Sequence, residues 1–252
     1  MKTASFYNLR GELALDKKNS NYSWKALPLN VSAPYAYFES VIRSVSTQDS
    51  QLIDLCCGAG IHSIAPSKFG CNVTGVDISP KSIDAAKWLA KINRVEDSTQ
   101  FTVNDILEVL TQESKFDIII MSGSLYYFDP NKIIPLILNK LKPGGHFICV
   151  ETNGSNFLMN SIRKLKNSSQ NHRDERTLKH LLKITDINNL SYSFEKSNIV
   201  YFDLLSLLGG ALPNFLKKPW HYIATRMDRV LLNYLFLKRL SFKFVFHGIK
   251  KS

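Results

Sequence analysis

The sequence has no uncharged apolar run as long as the ~18 residues that cross a membrane as a helix. The best candidate, Val230–Phe246, is interrupted by Lys238 and Arg239. No apolar run follows Met1 and Lys2, so we expect no signal peptide. The two absences favour a cytoplasmic protein over a secreted or membrane-spanning one.

Cysteine is scarce, and the four cysteines fit no metal-ligand spacing. Cys56 and Cys57 flank a glycine turn, while Cys71 and Cys149 fall in predicted strands. We interpret all four as free thiols in a reducing compartment and expect no metal site.

Acidic residues are few relative to basic ones, which gives the 252-residue chain a formal net charge of +11. The excess is concentrated from Leu216 onward, where nine Lys or Arg residues stand against the single acid Asp228. A basic, aromatic-rich end suggests a lipid surface, a phosphorylated substrate or nucleic acid as partner. A solvated basic face explains the same pattern equally well. With 44% apolar residues, the chain can build one sizeable core.

The most informative stretch is Gln51–Ser63, whose sequence is QLIDLCCGAGIHS. It reads as a buried strand, a tight glycine turn and the start of a helix, which is how an α/β domain opens a nucleotide pocket. Gly58 and Gly60 lack side chains, so a ligand can lie directly on their backbone. Asp54 lies inside the strand end, where an unpaired carboxylate is costly.

Further strands follow in a regular order. Cys71–Ile78 is a short apolar strand that carries Asp77 near its end, the spacing of a β-α-β unit with a carboxylate for ribose hydroxyls. A dinucleotide site requires a third glycine where Ser63 stands, which argues against NAD. Asp105 closes a third strand, and two later runs, FDIIIMS and LKPGGHFICVE, predict the fourth and fifth.

On these residues the chain resembles the class I S-adenosylmethionine-dependent methyltransferases. The resemblance covers about residues 35–152 and rests on five ordered signals: LIDLCCGAG, VTGVDIS, VNDIL, FDIIIMSGSLYYF and LKPGGHFICVE. It implies a Rossmann-like α/β fold with a seven-stranded, mostly parallel sheet whose last strand is antiparallel. The family usually has Gly where Cys56 stands. The Cys-Cys-Gly variant is similar to that of quinone-pathway C-methyltransferases, which does not identify the substrate.

The resemblance implies where S-adenosylmethionine binds. Asp77 is expected on the two ribose hydroxyls, with Ile78 against the adenine. Asp105 is expected to accept from the adenine amino group, and Ile106 to offer its backbone amide. The methionine end is expected against these residues: Asp54, Cys56, Gly58, Ala59, Gly60, Ser122, Gly123.

Tyr126 and Tyr127 are expected beside the transferring methyl group, as an aromatic wall suited to a small or lipid-like acceptor. A hydroxyl acceptor must lose a proton during attack, usually to a His or a carboxylate. His172, in a polar stretch after the fifth strand, is the first candidate for this base. His62, at the start of the helix after the glycine turn, is the second, although a helix-terminus role explains it equally well.

Residues 1–34 are interpreted as a polar, irregular lid, with Tyr22 and Trp24 as lid residues. The domain then begins with a helix, Tyr35–Val45. Leu204–Leu240 is too long for a hairpin turn and is patterned as amphipathic helices. These helices could form a substrate lid, a dimer face or a membrane-surface patch, or simply pack over the sheet.

The stretch after Glu151 is less regular. We predict these elements: a basic helix around Phe157–Leu165, a mobile connection over Lys166–Arg176, a helix over Thr177–Lys183, a sixth strand over Ile199–Leu205 and the last strand over Ser241–Ile249. The polar part of this region also resembles, loosely, bacterial methyltransferases of glycolipid or polysaccharide assembly.

We therefore expect a cytoplasmic methyltransferase, with S-adenosylmethionine as cofactor, that O-methylates a small hydrophobic, lipid-linked or sugar-linked molecule. One alternative is an RNA or protein methyltransferase that uses the basic end, although the Asn/Asp-Pro-Pro signature of DNA amino-methylating enzymes is absent. Another is a non-catalytic partner subunit or membrane adaptor. Peripheral membrane contact through residues 204–252 and a homodimer remain open; nucleic acid is disfavoured.

Overall fold

A computed structural model describes residues 2–16, 21–167 and 180–252 of the chain. Its strands are β1 (Gln51–Leu55), β2 (Asn72–Asp77), β3 (Thr99–Val103), β4 (Phe116–Ser122), β5 (Leu141–Thr152), β6 (Lys196–Phe202) and β7 (Lys243–Ile249). Its α-helices are α1 (Lys2–Asp16), α2 (Ala33–Val45), α3 (Ile64–Lys68), α4 (Pro80–Ile92), α5 (Ile106–Thr111), α6 (Pro130–Lys140), α7 (Phe157–Asn167), α8 (Ile184–Ser191), α9 (Asn214–Leu231) and α10 (Leu235–Lys238).

The seven strands form one sheet in the order β3-β2-β1-β4-β5-β7-β6. The strands from β3 to β5 pair in parallel, while β7 is antiparallel to both β5 and β6. The expected fold class, a mostly parallel seven-stranded sheet whose last strand is antiparallel, is therefore confirmed. The chain order reverses at β1, so the ends of β1, β2 and β4 open onto one crevice at the carboxyl edge.

Both faces of the sheet are covered by helices. Helices α5, α6 and α8 cover one face, where Ile137 and Ile187 pack around Phe147. Helix α2 covers the other face, where Phe38 packs over Ile120. Each large apolar side chain buried in this way contributes about 1.5–3 kcal/mol, so the central strands form a rigid base for the crevice.

Helices α4 and α5, which follow β2 and β3, start at side-chain caps. The hydroxyl of Ser79 accepts a hydrogen bond from the backbone N–H of Ser82, and Pro80 occupies the first turn of α4. The carboxylate of Asp105 accepts from the N–H of Leu107 at the start of α5. These caps end each strand at the crevice and fix the direction in which the chain leaves it.

The N-terminal region differs from the predicted irregular segment. Residues 2–16 form α1, and two 3₁₀ turns, Ser23–Ala26 and Leu29–Val31, follow. Helix α1 lies on α4 because Gly11 has no side chain: a Cβ there would stand 2.5 Å from the backbone of Lys81. The sequence did not reveal α1 because its apolar residues follow no clear helical stripe.

The region after β5 differs in part from the predicted elements. The predicted helix at Phe157–Leu165 is present as α7, which includes the first two residues of the predicted connection, and the rest of that connection lies outside the described residues. In the predicted helix at Thr177–Lys183, the described residues 180–183 are not helical. Helix α8 begins only after Lys183, whose backbone N–H donates to the carboxylate of Asp186.

Strand β6 ends earlier than predicted. The carboxylate of Asp228 accepts hydrogen bonds from the N–H groups of Leu204 and Leu205, so these residues cannot continue the ladder. Asp203 turns the chain there with a positive φ of 62°. The helices expected in residues 204–240 are present as a 3₁₀ turn at Ser206–Ala211, α9 and α10.

Candidate functional site

A cavity of about 620 Å³ opens at the carboxyl edge of the sheet. Most of the predicted site residues line it: Asp54, Cys56, Gly58, Ala59, His62, Asp77, Ile78, Asp105, Ile106, Ser122, Gly123, Tyr126, Tyr127. Two do not belong to this lining. Gly60 does not reach the cavity, and His172 lies outside the described residues. The volume lies within the usual range for small-molecule sites.

Two glycines leave open space on the cavity wall. Gly58 and Gly123 have positive φ angles of 54° and 65°, and a Cβ on either would meet nothing within 4 Å. A ligand can therefore approach both backbones closely. Gly60 has a different role, because a Cβ there would stand 2.9 Å from Cβ of Ala86 in α4. Its missing side chain lets the turn pack against α4 and leaves no ligand space.

Asp77 joins the two loops that frame the cavity. One of its carboxylate oxygens accepts from the backbone N–H of Gly58 at 2.9 Å, and the other accepts from the N–H of Ser79 at 2.9 Å. Burial raises the pKa of Asp77 above its ordinary value, and these backbone hydrogen bonds oppose that shift. An acidic side chain at the end of β2, on the wall of the cavity, is suited to diol hydroxyls.

Asp54 is buried at the end of β1. Its carboxylate accepts a hydrogen bond from the hydroxyl of Ser63 at 2.6 Å. Burial raises the pKa of Asp54 to about 7, and the bond from Ser63 opposes this shift. Asp54 therefore closes the glycine turn onto its own strand, besides lining the cavity.

Asp105 is both an exposed cap and a lining residue. One carboxylate oxygen accepts from the N–H of Leu107 at 2.9 Å, and Ile106 follows it into α5 on the cavity wall. Ile78 and Asn104 lie at the same end of the cavity, beyond β2 and β3. Open glycines at one end and acidic or apolar groups at the other fit S-adenosylmethionine, which joins a charged methionine moiety to a nucleoside.

Glu151 is a site residue that the sequence analysis missed. Its Oε1 accepts from the N–H groups of Ser124 and Leu125, at 2.8 and 2.7 Å. Burial raises its pKa to about 7. The glutamate thus holds the turn that presents Tyr126 and Tyr127 to the cavity. An acid at the end of the apolar run FICVE was the only signal for this role.

His62 lies in the turn before α3 and lines the cavity. The ring of Tyr35 stacks on it at 5.2 Å between centroids, and the edge of Phe38 meets it at 5.7 Å. Burial, with a smaller effect from the charge of Lys243, lowers the pKa of His62 to about 4. The imidazole is therefore neutral at pH 7 and able to accept a proton.

Lys243 is the second residue that the sequence analysis missed. It lines the cavity from the first position of β7, and its side chain is 8% exposed. Its Nζ lies 5.1 Å from the centroid of the Tyr35 ring. The sequence showed Lys243 only as one cation of a basic tail, because nothing local marks it as buried.

The other predicted features lie away from the cavity. Tyr22 and Trp24 do not line it; the N-terminal segment contributes Leu27 and three residues of α1 instead: Arg10, Gly11 and Ala14. Among the described residues, no group of three His, Cys, Asp or Glu side chains could hold a metal ion. No helix in the described part of the chain is long and apolar enough to cross a membrane.

Comparison with known proteins identifies the domain type. Residues 46–224 match a family model described as a methyltransferase domain. Two curated relatives match shorter stretches. The ribosomal protein L11 methyltransferase of Shewanella woodyi is 39% identical over 107 residues, 40% of this chain and 33% of that protein. The ubiquinone biosynthesis O-methyltransferase of Coxiella burnetii is 32% identical over 127 residues, 50% of this chain and 53% of that protein. The matches thus span a third to a half of these relatives' lengths.

A solved structure supports the same fold. Phosphoethanolamine N-methyltransferase 2 of Haemonchus contortus, in complex with S-adenosyl-L-methionine, superposes with a TM-score of 0.57. The superposition covers 86% of this chain and 53% of that one, at 18% sequence identity. Sequence identity this low shows that the folds are similar and does not identify the methyl acceptor.

Proposed function

The chain belongs to the class I S-adenosylmethionine-dependent methyltransferases, and from this premise we propose that it methylates a hydroxyl group of a small, hydrophobic, lipid-linked or sugar-linked molecule. The observation that carries the proposal is a neutral histidine, His62, in an aromatic-walled part of the cavity. Tyr35, Tyr126 and Tyr127 supply that wall, which suits a compact, partly apolar acceptor.

S-adenosylmethionine, when bound, supplies an electrophilic methyl group. The residues that would hold it are the open backbones of Gly58 and Gly123 and the carboxylate of Asp77. The residues of the chain position the methyl donor and the acceptor and exclude water, which are the main requirements of an in-line displacement.

His62 is the proposed proton acceptor for the acceptor hydroxyl. It is neutral at pH 7 because burial lowers its pKa to about 4. A base with so low a pKa is always deprotonated but weak, so the acceptor hydroxyl must itself be acidic or lie beside a cation. His172, the first base candidate from the sequence, remains a rival proposal.

Protein methylation is the second candidate, favoured by the similarity to a ribosomal protein L11 methyltransferase. The proposal is tested by supplying radiolabelled S-adenosylmethionine and the purified protein to a bacterial extract separated into organic-soluble, small aqueous, RNA and protein fractions. We expect label in the organic-soluble or small aqueous fraction, with His62→Gln reducing it. Label confined to protein or RNA would contradict the small-molecule proposal.

The remaining alternative is a non-catalytic partner or adaptor. It predicts no label in any fraction and no binding of S-adenosylhomocysteine by folded protein. Calorimetric binding of S-adenosylhomocysteine by the same preparation therefore separates an enzyme that lacks its acceptor from a chain that is not an enzyme.

A further inference from the structure

Lys243 is a largely buried lysine whose ammonium group has no hydrogen-bond or ion-pair partner among the described residues. In the part of the chain that the structure describes, its Nζ makes no hydrogen bond, and the one ion pair there joins Lys142 and Asp117. Two aromatic rings lie near the Nζ, with the centroids of Tyr35 and Phe242 at 5.1 and 5.7 Å. Cation–π contacts offset part of the cost of burying the ammonium group, but an unpaired buried charge remains unfavourable.

The neighbouring acids do not neutralise this lysine. Glu151 and Asp203 both feel its charge, which lowers their pKa values against the larger effect of burial. Glu151 binds the amides of the turn after β4, and Asp203 accepts from the hydroxyl of Ser206. Each acid keeps one buried oxygen without a hydrogen bond among the described residues, yet neither comes within 4.0 Å of the Lys243 Nζ.

The position of Lys243 separates it from the predicted cofactor contacts. Its backbone pairs with Thr152 at the end of β5, and both residues line the cavity. Strand β7 lies two strands from β4, so Lys243 stands roughly 10 Å along the sheet from the Ser122 end of β4. Tyr35 lies between Lys243 and His62. Its ring stacks on the imidazole of His62, and the Nζ of Lys243 lies over the same ring.

We propose that Lys243 binds an acidic group of the methyl acceptor, a carboxylate or a phosphate, while the hydroxyl to be methylated lies near His62. This inference rests on the proposed function. An anion would complete the pairing that Lys243 lacks, and a charge-assisted hydrogen bond in a shielded cavity is among the stronger polar contacts. The lysine would thereby select charged acceptors over neutral molecules of the same shape.

The test measures acceptor-side binding to protein saturated with S-adenosylhomocysteine. The probes are 4-hydroxybenzoate, its neutral analogue 4-hydroxybenzamide, and phenyl phosphate. We expect at least one acid to bind about 10- to 100-fold more tightly than the amide. Lys243→Met should abolish this preference and Lys243→Arg should keep part of it. Lys142→Met removes a lysine at the start of β5, at the edge of the sheet opposite the cavity. This variant should keep the wild-type preference for the acid over the amide.

The two acids distinguish a carboxylate from a phosphate as the recognised group. Wild-type protein that binds acid and amide equally, or binds neither, overturns the inference, as does a preference that survives in Lys243→Met. The wild-type comparison stands even if the Met variant does not fold. S-adenosylhomocysteine binding is measured first in every variant. Its absence from the wild type would reject the proposed function, whereas its presence with no acid preference rejects only the role of Lys243.

A second inference comes independently from α9, whose large apolar side chains lie on its exposed side and not on its buried side. Its inward positions include Ala224 and Asp228, which are buried. Its outward positions carry large apolar side chains that are 40–77% exposed: Phe215, Leu216, Tyr222, Ile223, Met227, Val230. A helix that merely covers a sheet has the opposite pattern, with its apolar stripe inward.

The inward face of α9 is fixed by polar contacts. Asp228 accepts from the N–H groups of Leu204, Leu205 and Ser206 and from the Ser206 hydroxyl. It is the only acid from Leu216 to the end of the chain, so it leaves the surrounding cations unbalanced. The helix cannot rotate its apolar side inward without breaking these bonds.

The outward side of α9 also carries Lys218, Arg226 and Arg229, all exposed. Exposed apolar side chains flanked by cations fit an anionic lipid surface, where the apolar groups enter the headgroup boundary and the cations meet lipid phosphates. We propose that α9 docks on an anionic membrane surface, which would bring the cavity to a lipid-linked acceptor.

Vesicle flotation tests this docking. We expect binding to vesicles of phosphatidylcholine with 30% phosphatidylglycerol, weak binding to phosphatidylcholine alone, and a loss of binding as salt is raised. The double variant Phe215→Ser and Ile223→Ser should lower bound protein at least tenfold. Tyr192→Ser, which removes an aromatic ring that is 84% exposed beyond α8, is the matched control.

Two results would overturn the proposal. One is vesicle binding that is absent, independent of lipid charge or unchanged in the double variant. The other is a dimer in sedimentation experiments that the double variant dissociates, since α9 would then be the contact between two copies of the chain.

Discussion

The carboxylate of Asp77 accepts the backbone N–H of Gly58 at 2.9 Å, so the end of β2 holds the glycine loop that follows β1. This bond joins the ends of two neighbouring parallel strands, β1 and β2, beside the switch point between β1 and β4. One side chain thus shapes the loop and lines the cavity beside it. The assigned cofactor site depends on this relationship more than on any other contact.

Gly58 and Gly60 should respond differently to replacement by alanine. Both have positive φ angles, so each substitution costs about 1–2 kcal/mol of backbone strain. Gly60→Ala should lose a further 1–3 kcal/mol, roughly, because its methyl group overlaps Ala86. Gly58→Ala should instead fold well and bind S-adenosylhomocysteine at least tenfold more weakly. Thermal melts and calorimetry separate the two effects, and equal behaviour of the variants would contradict the assignment.

Replacement of His62 by glutamine should lower turnover about 100-fold or more while changing S-adenosylhomocysteine affinity less than twofold. The reason is that His62 is proposed to accept a proton and not to hold the cofactor. Turnover is measured with the acceptor fraction found in the labelling experiment. The rival proposal predicts the same result for His172→Ala. An unchanged rate in His62→Gln with a large loss in His172→Ala would transfer the role to His172.

The stabilising contribution of Glu151 should fall as pH rises. Burial raises its folded-state pKa from 4.5 to about 7, so its stabilising contribution is complete below about pH 4.5 and is lost as pH rises through about 7. The difference corresponds to about 3 kcal/mol. Glu151→Gln keeps an oxygen for the N–H groups of Ser124 and Leu125 but cannot ionise.

The melting temperature of Glu151→Gln should therefore change less between pH 5 and pH 8 than that of the wild type. Scanning calorimetry across this range checks the prediction. Parallel pH profiles for the two proteins would show that Glu151 does not ionise with an altered pKa. Asp54 and Asp203, whose pKa values are also raised to about 7, contribute a slope of the same sign in both proteins, and His62, whose pKa burial lowers to about 4, contributes one of the opposite sign.

Gly11→Leu tests whether the N-terminal segment acts as a lid. A side chain at this position cannot fit against the backbone of Lys81, so α1 should leave α4. We expect faster proteolysis within residues 1–34 and at least fivefold weaker S-adenosylhomocysteine binding, since Arg10 and Ala14 also line the cavity. The control is Leu13→Ala, at an exposed position of the same helix. Unchanged cofactor affinity in Gly11→Leu would remove the lid role.

The sequence predicted the parts of the protein that local chemistry determines. Strand-ending acids such as Asp77 and the glycine turn mark the crevice because backbone geometry and the order of a parallel sheet leave few alternatives. Pro80 and Pro130 stand in the first turns of α4 and α6, where local geometry favours the start of a helix. Of the fourteen predicted site residues that the structure describes, all but Gly60 line the cavity.

The remaining features depend on contacts between distant parts of the chain. Lys243 reaches the cavity only because β7 pairs with β5, about 90 positions away in sequence, and Glu151 holds the turn after β4 only because β5 pairs with β4. Helix α1 gave no periodic signal, and its place is set by the gap at Gly11. The inverted face of α9 follows from Asp228 bonding to the chain after β6, which no local pattern indicates.

The most direct test of the account is calorimetric titration of S-adenosylhomocysteine into wild-type protein and Asp77→Ala, after removal of any ligand that co-purifies. We predict micromolar binding by the wild type and about 100-fold weaker binding by Asp77→Ala, because that variant loses a charged contact and the bond that holds Gly58. Asp84→Ala, which removes an exposed acid of α4, should bind as the wild type does. Folded wild-type protein that does not bind, or equal binding by Asp77→Ala, would contradict the assigned cofactor site.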